Sequence, residues 1–162
     1  MDYFITKGIG ESNLKSDSSN ETTTFDDALV NAGIGNTNLI LYSSIIPFNS
    51  KEVAYRQPAW GEVLECILAR KDGKKGQFIS SGLLINYFYN GNNFLGGLVL
   101  EYSGKDTYQI ALNKLNLQLN EMIIRRNYQN YRVQSKFIFE RTKVKKKFGT
   151  VFCTICFKRN KF

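Results

Sequence analysis

Two serines stand side by side at Ser43-Ser44, after the apolar run Asn38-Leu39-Ile40-Leu41-Tyr42 and just ahead of Pro47, one of two prolines in the chain. A serine hydroxyl beside a peptide carbonyl acts as a nucleophile only where the geometry is held and its proton has somewhere to go. Glu101 ends the apolar run Leu98-Val99-Leu100, a position that a burial-driven pattern would not choose. It reads either as a carboxylate reaching a lysine or solvent, or as a functional acid. Asp26-Asp27 reads first as the start of a helix, where the dipole favours anions. The chain has no histidine. That removes Ser-His-Asp and Cys-His machinery, His-liganded metals and the usual acid-base side chain near neutral pH. Any enzyme built from this chain needs another source of chemistry.

The other reactive types read more plainly. Cys153-Thr154-Ile155-Cys156 has CxxC spacing, but a zinc site needs further ligands, and residues three apart on a strand point to opposite faces. With Cys66 they read as core or surface thiols, in a compartment that keeps them reduced. The Lys145-Lys146-Lys147 run, with Arg141 and Lys143 nearby, could meet nucleic acid, but no recognised RNA- or DNA-binding signature surrounds it, and it reads first as a solvated strand edge that discourages aggregation. The net charge of +8 speaks to solubility and non-specific attraction rather than to a site.

The elements that must position these residues follow from pattern and punctuation. At 162 residues, 43% hydrophobic and 14% aromatic, the chain is expected to be a single domain with a real core. No apolar run reaches the roughly 18 residues that cross a bilayer. The N-terminus has no basic and apolar leader pattern, so a cytoplasmic location is expected.

Tyr3 to Thr6 opens a short strand, and Gly8 and Gly10 permit a tight turn or a close approach. Asn13 to Thr24 is a polar, exposed loop. Thr24 is a fitting N-cap for a short helix that Gly33 stops. Leu39 to Ser43 is a strand, and a polar loop runs from Pro47 to Pro58. Glu62 to Arg70 is an apolar run broken by Glu65, and Asp72-Gly73 signals a hairpin with a return strand at Gln77 to Tyr87. Leu98 to Tyr102 is the next strand. Apolar residues from Ile110 to Ile123 at mixed three- and four-residue spacings make the long helix. Tyr131, Val133, Phe137 and Phe139 share one face of a strand, and Val151 to Phe157 is the last. This order indicates an α+β fold with helices covering antiparallel or mixed sheets.

Four stretches, taken together and in order, resemble the pyruvoyl-dependent arginine decarboxylase family. They are Gly8-Ile9-Gly10-Glu11-Ser12; Phe25-Asp26-Asp27-Ala28-Leu29 through Ala32-Gly33-Ile34-Gly35-Asn36-Thr37-Asn38-Leu39; Ser43-Ser44-Ile45-Ile46-Pro47; and Gly97-Leu98-Val99-Leu100-Glu101-Tyr102-Ser103-Gly104. Lys147-Phe148-Gly149 and the strand after it also look like the family's ending. The resemblance implies a layered α/β/β/α sandwich that assembles as a trimer or a dimer of trimers, with sites between neighbouring subunits.

It further implies a proenzyme in which Ser44 Oγ attacks the Ser43 carbonyl. The ester formed undergoes β-elimination, leaving a β chain of residues 1–43 and an α chain of 44–162 headed by a covalent pyruvoyl group derived from Ser44. Asn38 would donate to the carbonyl oxygen as charge develops. The pyruvoyl ketone would form a Schiff base with the substrate amine and accept the electrons released as CO2 leaves. By the same resemblance Glu101 would protonate the substrate carbon, in an apolar setting that keeps its carboxyl partly protonated, and Asp26 would recognise the guanidinium of L-arginine. The implied activity is conversion of L-arginine to agmatine, serving polyamine supply or acid resistance. The chain departs from the family in the long polar Asn13 to Thr24 loop and at Phe48 and Tyr55 on the substrate side. The alternatives are a non-catalytic basic binding module that uses the Lys143 to Lys147 surface, and an inactive homologue.

Overall fold

The structure, a computed structural model, describes residues 1–14 and 20–158. Among the described residues nine strands form two sheets. The first contains β1 (Asp2–Ser12), β2 (Asn38–Leu41), β4 (Lys51–Glu52), β5 (Val63–Lys74) and β9 (Phe148–Phe157), in the order β2-β5-β9-β1-β4. The second contains β3 (Ile45–Ile46), β6 (Phe78–Asn90), β7 (Asn93–Gly104) and β8 (Arg132–Lys143), in the order β3-β7-β6-β8. The first sheet is mixed, since β2 runs parallel to β5 and β4 to β1, and the second is antiparallel.

The sheets pack face to face. Tyr3, Ile67, Ile155 and Phe157 of the first interlock with Ile46, Leu83, Ile85 and Val99 of the second. Helix α1 (Asn20–Asn31) covers the outer face of the first sheet through Phe25, Ala28 and Leu29. Helix α2 (Tyr108–Arg125) covers the second through Ala111, Leu115 and Leu119, a stripe at four-residue spacing. The layering is therefore α/β/β/α. Strand β9 lies in the middle of the first sheet and is buried along nearly its whole length, which explains its apolar character.

Several local expectations give way to the tertiary arrangement. Gly8 and Gly10 make no turn but lie within β1, and they serve close approach. A Cβ on Gly8 would lie 2.1 Å from the Ala28 carbonyl oxygen, and one on Gly10 2.1 Å from that of Thr24, so α1 rests directly on the strand. Of the loop expected over 13–24, residues 15–19 lie outside the described residues. The helix begins at Asn20, so Thr24 is inside it, and its hydroxyl meets that of Thr150 at 2.7 Å in the core.

Asp72-Gly73 forms no hairpin. Strand β5 continues through it, paired with Thr150 and Gly149 of β9. The chain instead turns at Lys74–Gln77, where Gly76 has φ +84°, and the returning β6 belongs to the other sheet. The basic stretch is not a strand edge. It is the turn between β8 and β9, whose Lys145 and Lys146 amides donate to the Glu11 carboxylate. The three thiols are buried and free, with Cys153 between the sheets and Cys66 and Cys156 under α1. Burial raises all three, Cys153 and Cys156 to about 12. Among the described residues no helix is long and apolar enough to cross a membrane, and no cluster of His, Cys, Asp or Glu could hold a metal ion.

Candidate active site

The two short strands that flank Ser43-Ser44 belong to different sheets. β2 is an edge strand of the first sheet and β3 an edge strand of the second, so the Ser43–Ser44 peptide lies where the chain crosses between them. On the first side, the Tyr42 amide donates to the Cys66 carbonyl at 2.7 Å, extending the β2–β5 pairing. On the second, the Val99 amide donates to the Ser44 carbonyl at 2.9 Å, extending β3 along β7. Glycine makes room for that second anchor. A Cβ on Gly97 would lie 2.9 Å from Ile46 Cβ, and one on Gly96 2.9 Å from the Ile46 carbonyl oxygen. Small residues on β7 thus let β3 lie close while Ile46 is fully buried.

Between the anchors the Ile45 amide donates to the Ser43 carbonyl at 2.7 Å. A bond spanning two residues is a γ-turn centred on Ser44, and it is the inverse form, since Asn127 is the one positive-φ non-glycine among the described residues. The Ser43 carbonyl is therefore already polarised by an N–H, the preorganised donor that a developing oxyanion needs. The Ser44 hydroxyl donates to Glu101 Oε1 at 2.5 Å, across a sequence separation of 57. Both line a pocket of about 330 Å³ walled also by Gln118, Glu121, Met122 and Arg125 of α2. An ion pair from Arg125 to Glu121 crosses that wall. Beyond β3 lies a groove of about 490 Å³ edged by Phe48, Phe88, Arg126 and Tyr128. The arrangement can hold a hydroxyl, pass its proton to a carboxylate and stabilise charge on the neighbouring carbonyl.

The structure brings Ser43, Ser44 and Glu101 together. It does not bring Asn38 or Asp26 to them within one chain. Asn38 opens β2, five residues or about 16 Å of extended chain before Ser43, and its side-chain amide donates to the Gly61 carbonyl at 3.2 Å. Asp26 is exposed on α1, over the outer face of the first sheet, whereas the Ser44 pocket is walled by α2 over the second. Glu101 itself is exposed. Of its apolar neighbours Leu98 and Leu100 turn to α2 and Val99 to the space between the sheets.

Two features escaped the sequence reading. The Ile45 amide has no sequence signal, because main-chain donors look alike in every residue. Glu65 does have one, as the charged break in an apolar run. It is 2% exposed, and its carboxyl accepts from the Tyr42 hydroxyl.

The fold and pocket define a four-layer α+β sandwich that carries a hydroxyl–carboxylate pair where the chain crosses from one sheet to the other. The chain belongs to the pyruvoyl-dependent arginine decarboxylase family, whose model matches residues 2–162. Proteins named pyruvoyl-dependent arginine decarboxylase from three organisms resemble it. The one from Methanothermobacter thermautotrophicus is 34% identical over 86 residues, 52% of this chain and 53% of that protein. That from Thermococcus kodakarensis is 32% identical over 108 residues, 65% of this chain and 66% of its own length. That from Methanopyrus kandleri is 27% identical over 120 residues, 74% and 72% of the two chains. The matched part thus spans about half of the first relative and just under two thirds of the second.

Proposed function

We propose that this chain is a self-processing decarboxylase that converts L-arginine to agmatine and CO2, taking up one proton per turnover. The observation that carries the reading is the Ser44–Glu101 bond beside a Ser43 carbonyl already held by the Ile45 amide. The residues present fit a prosthetic group made from Ser44: a hydroxyl, a polarised carbonyl, a proton acceptor and an adjoining pocket lie at one place.

In the processing step Ser44 Oγ gives its proton to Glu101 and bonds to the Ser43 carbonyl carbon, whose bond to the Ser44 nitrogen breaks. The Ser44 amine takes a proton, and the product is an ester. Loss of the Ser44 Cα proton then breaks the Cβ–O bond and releases the Ser43 carboxylate as the end of the 1–43 fragment. Addition of one water and loss of ammonia leave a pyruvoyl group at the head of 44–162. That group supplies the electrophilic ketone and electron sink that a histidine-free site otherwise lacks. Glu101, at the same spot, gives the substrate carbon the proton that replaces CO2.

The reading also requires a second copy. Asp26, the residue to grip a guanidinium through paired charge-assisted hydrogen bonds, lies on the opposite outer layer from Glu101. Ile40, Leu41, Ile45 and Phe48 are exposed around the crossing, Leu41 by 67% and Phe48 by 71%. Apolar surface of this kind marks an interface. A neighbouring subunit in a trimer, or a dimer of trimers, would bring its own Asp26 and Asn38 to the site and withdraw Glu101 from water. Intact mass measurement of the purified protein tests the core of the reading. Two fragments that divide between residues 43 and 44, the larger headed by a ketone, support it. A single uncleaved chain of 18.6 kDa rejects it in favour of an inactive or non-catalytic homologue.

A further inference from the structure

At the end of the inter-sheet core nearest the crossing, one acidic side chain replaces an apolar one. Glu65 lies on β5 between Leu64 and Cys66, which both face α1. By strand alternation its own side chain enters the layer between the sheets. There it is 2% exposed, beside Phe157, its register partner on β9, and Ile40, its partner on β2. The Tyr42 hydroxyl donates to its Oε2. The Tyr42 ring also packs on that of Phe157 with centroids 5.6 Å apart, and the Tyr42 amide is bound to the Cys66 carbonyl.

Tyr42 is the last residue held by the first sheet before Ser43. On the far side of the Ser43–Ser44 peptide the next anchor is the Ser44 carbonyl on the Val99 amide. The peptide is thus suspended between two fixed points, and Tyr42 sets the direction from which it is entered. An apolar residue at position 65 would serve the core better, because a carboxyl in an apolar layer carries a desolvation cost. What the carboxyl adds is direction, since a hydrogen bond fixes the phenol where packing alone leaves it free to tilt.

We propose that Glu65 and Tyr42 form a buried clamp that positions the Ser43 carbonyl for attack by the Ser44 hydroxyl. Both are positioning residues, and the inference rests on the self-processing reading. A proton-acceptor role is not required of Glu65. Its task is to hold the phenol, and through it the carbonyl, within the small tolerance that an intramolecular attack demands.

The test follows the appearance of the 1–43 and 44–162 fragments in freshly synthesised full-length chains, by gel and mass spectrometry. Thermal midpoints are taken for each variant in a Ser44→Ala background, so that all the chains compared are uncleaved. Tyr42→Phe should slow fragment formation about tenfold or more, on the scale of removing one partner of a buried hydrogen bond. Glu65→Gln, which still offers an oxygen to the phenol, should keep most of the rate. The double variant Tyr42→Phe/Glu65→Leu replaces the pair with apolar groups. It should melt at or above the wild-type midpoint and yet cleave as slowly as Tyr42→Phe. If the double variant cleaves at the wild-type rate, or if every slowing merely follows a drop in midpoint, the clamp is overturned and self-processing stands. If the wild-type chain itself remains whole, both fall.

Discussion

The chain passes from the first sheet to the second at two places, Tyr42–Ser44 and Lys74–Gln77, and the two crossings are built differently. The second is an ordinary turn. Glycine at position 76 takes φ +84°, the Gln77 amide donates to the Lys74 carbonyl at 3.0 Å, and the surface around it is lysine-rich and open. The first has no glycine. It turns at Ser44 through a two-residue hydrogen bond, is anchored to a different sheet on each side, and is met by two carboxyls, Glu101 at the serine and Glu65 at the preceding tyrosine. The same topological task is met there by one glycine and main-chain hydrogen bonds, from the Lys75 amide to the Lys147 carbonyl and the Gly76 amide to the Val144 carbonyl. The extra apparatus at Ser43-Ser44 is what a turn does not need and a reaction does.

The largest effect that would sharpen this contrast is expected from Ser44→Ala. It removes the nucleophile while leaving the γ-turn, and should yield one uncleaved chain with no decarboxylation. Fragments appearing at this bond in the variant would break the comparison outright. Next comes Glu101→Gln, whose amide oxygen still accepts from the Ser44 hydroxyl but which cannot deliver a proton to carbon. Cleavage should persist but more slowly, because the amide cannot take the hydroxyl's proton, while CO2 release falls by about a hundredfold or more, and full turnover would remove Glu101 from the second reaction.

Asp26→Asn should have a smaller effect, about ten- to hundredfold in kcat/KM for arginine, carried by KM. Cleavage should be untouched, because Asp26 lies far from the crossing in its own chain. Co-expressing Asp26→Asn with Glu101→Gln chains should raise activity well above that of either variant alone. Failure of the mixture to recover would mean that the site is not shared between copies. The smallest effect belongs to the other crossing. A Cβ on Gly76 meets nothing within 4 Å, so Gly76→Ala should cost only the positive-φ penalty, about 1 kcal/mol in chemical denaturation, with fragment formation and turnover unchanged.

Much of this was legible before any coordinates. The stripe of α2, the alternation of Val133, Phe137 and Phe139, and the apolar β9 follow from periodicities that a half-buried helix or a central strand must show. What failed did so for one reason, that tertiary pairing outweighed local preference. Asp72-Gly73 has turn chemistry, yet Thr150 and Gly149 stand opposite it and Thr150 donates to the Asp72 carboxylate, so the strand runs on. Thr24 has cap chemistry, yet its hydroxyl found Thr150 in the core, and the helix started earlier.

By itself the sequence determined which chemistry was open to this protein. With no histidine, acid-base and nucleophilic work falls to serines and carboxylates, and the order of the four family-like stretches gives that work a setting. It did not determine which carboxylate would serve which serine. Glu101 meets Ser44 because β3 lies against β7 over two glycines, and Glu65 meets Tyr42 because β2 pairs with β5. Asp26 is carried away to the opposite layer by α1. Side chains are assigned to partners by the packing of sheets and helices, which depends on contacts distant in sequence. The same packing turned Ser43-Ser44 from two serines after a strand into a peptide held between two sheets.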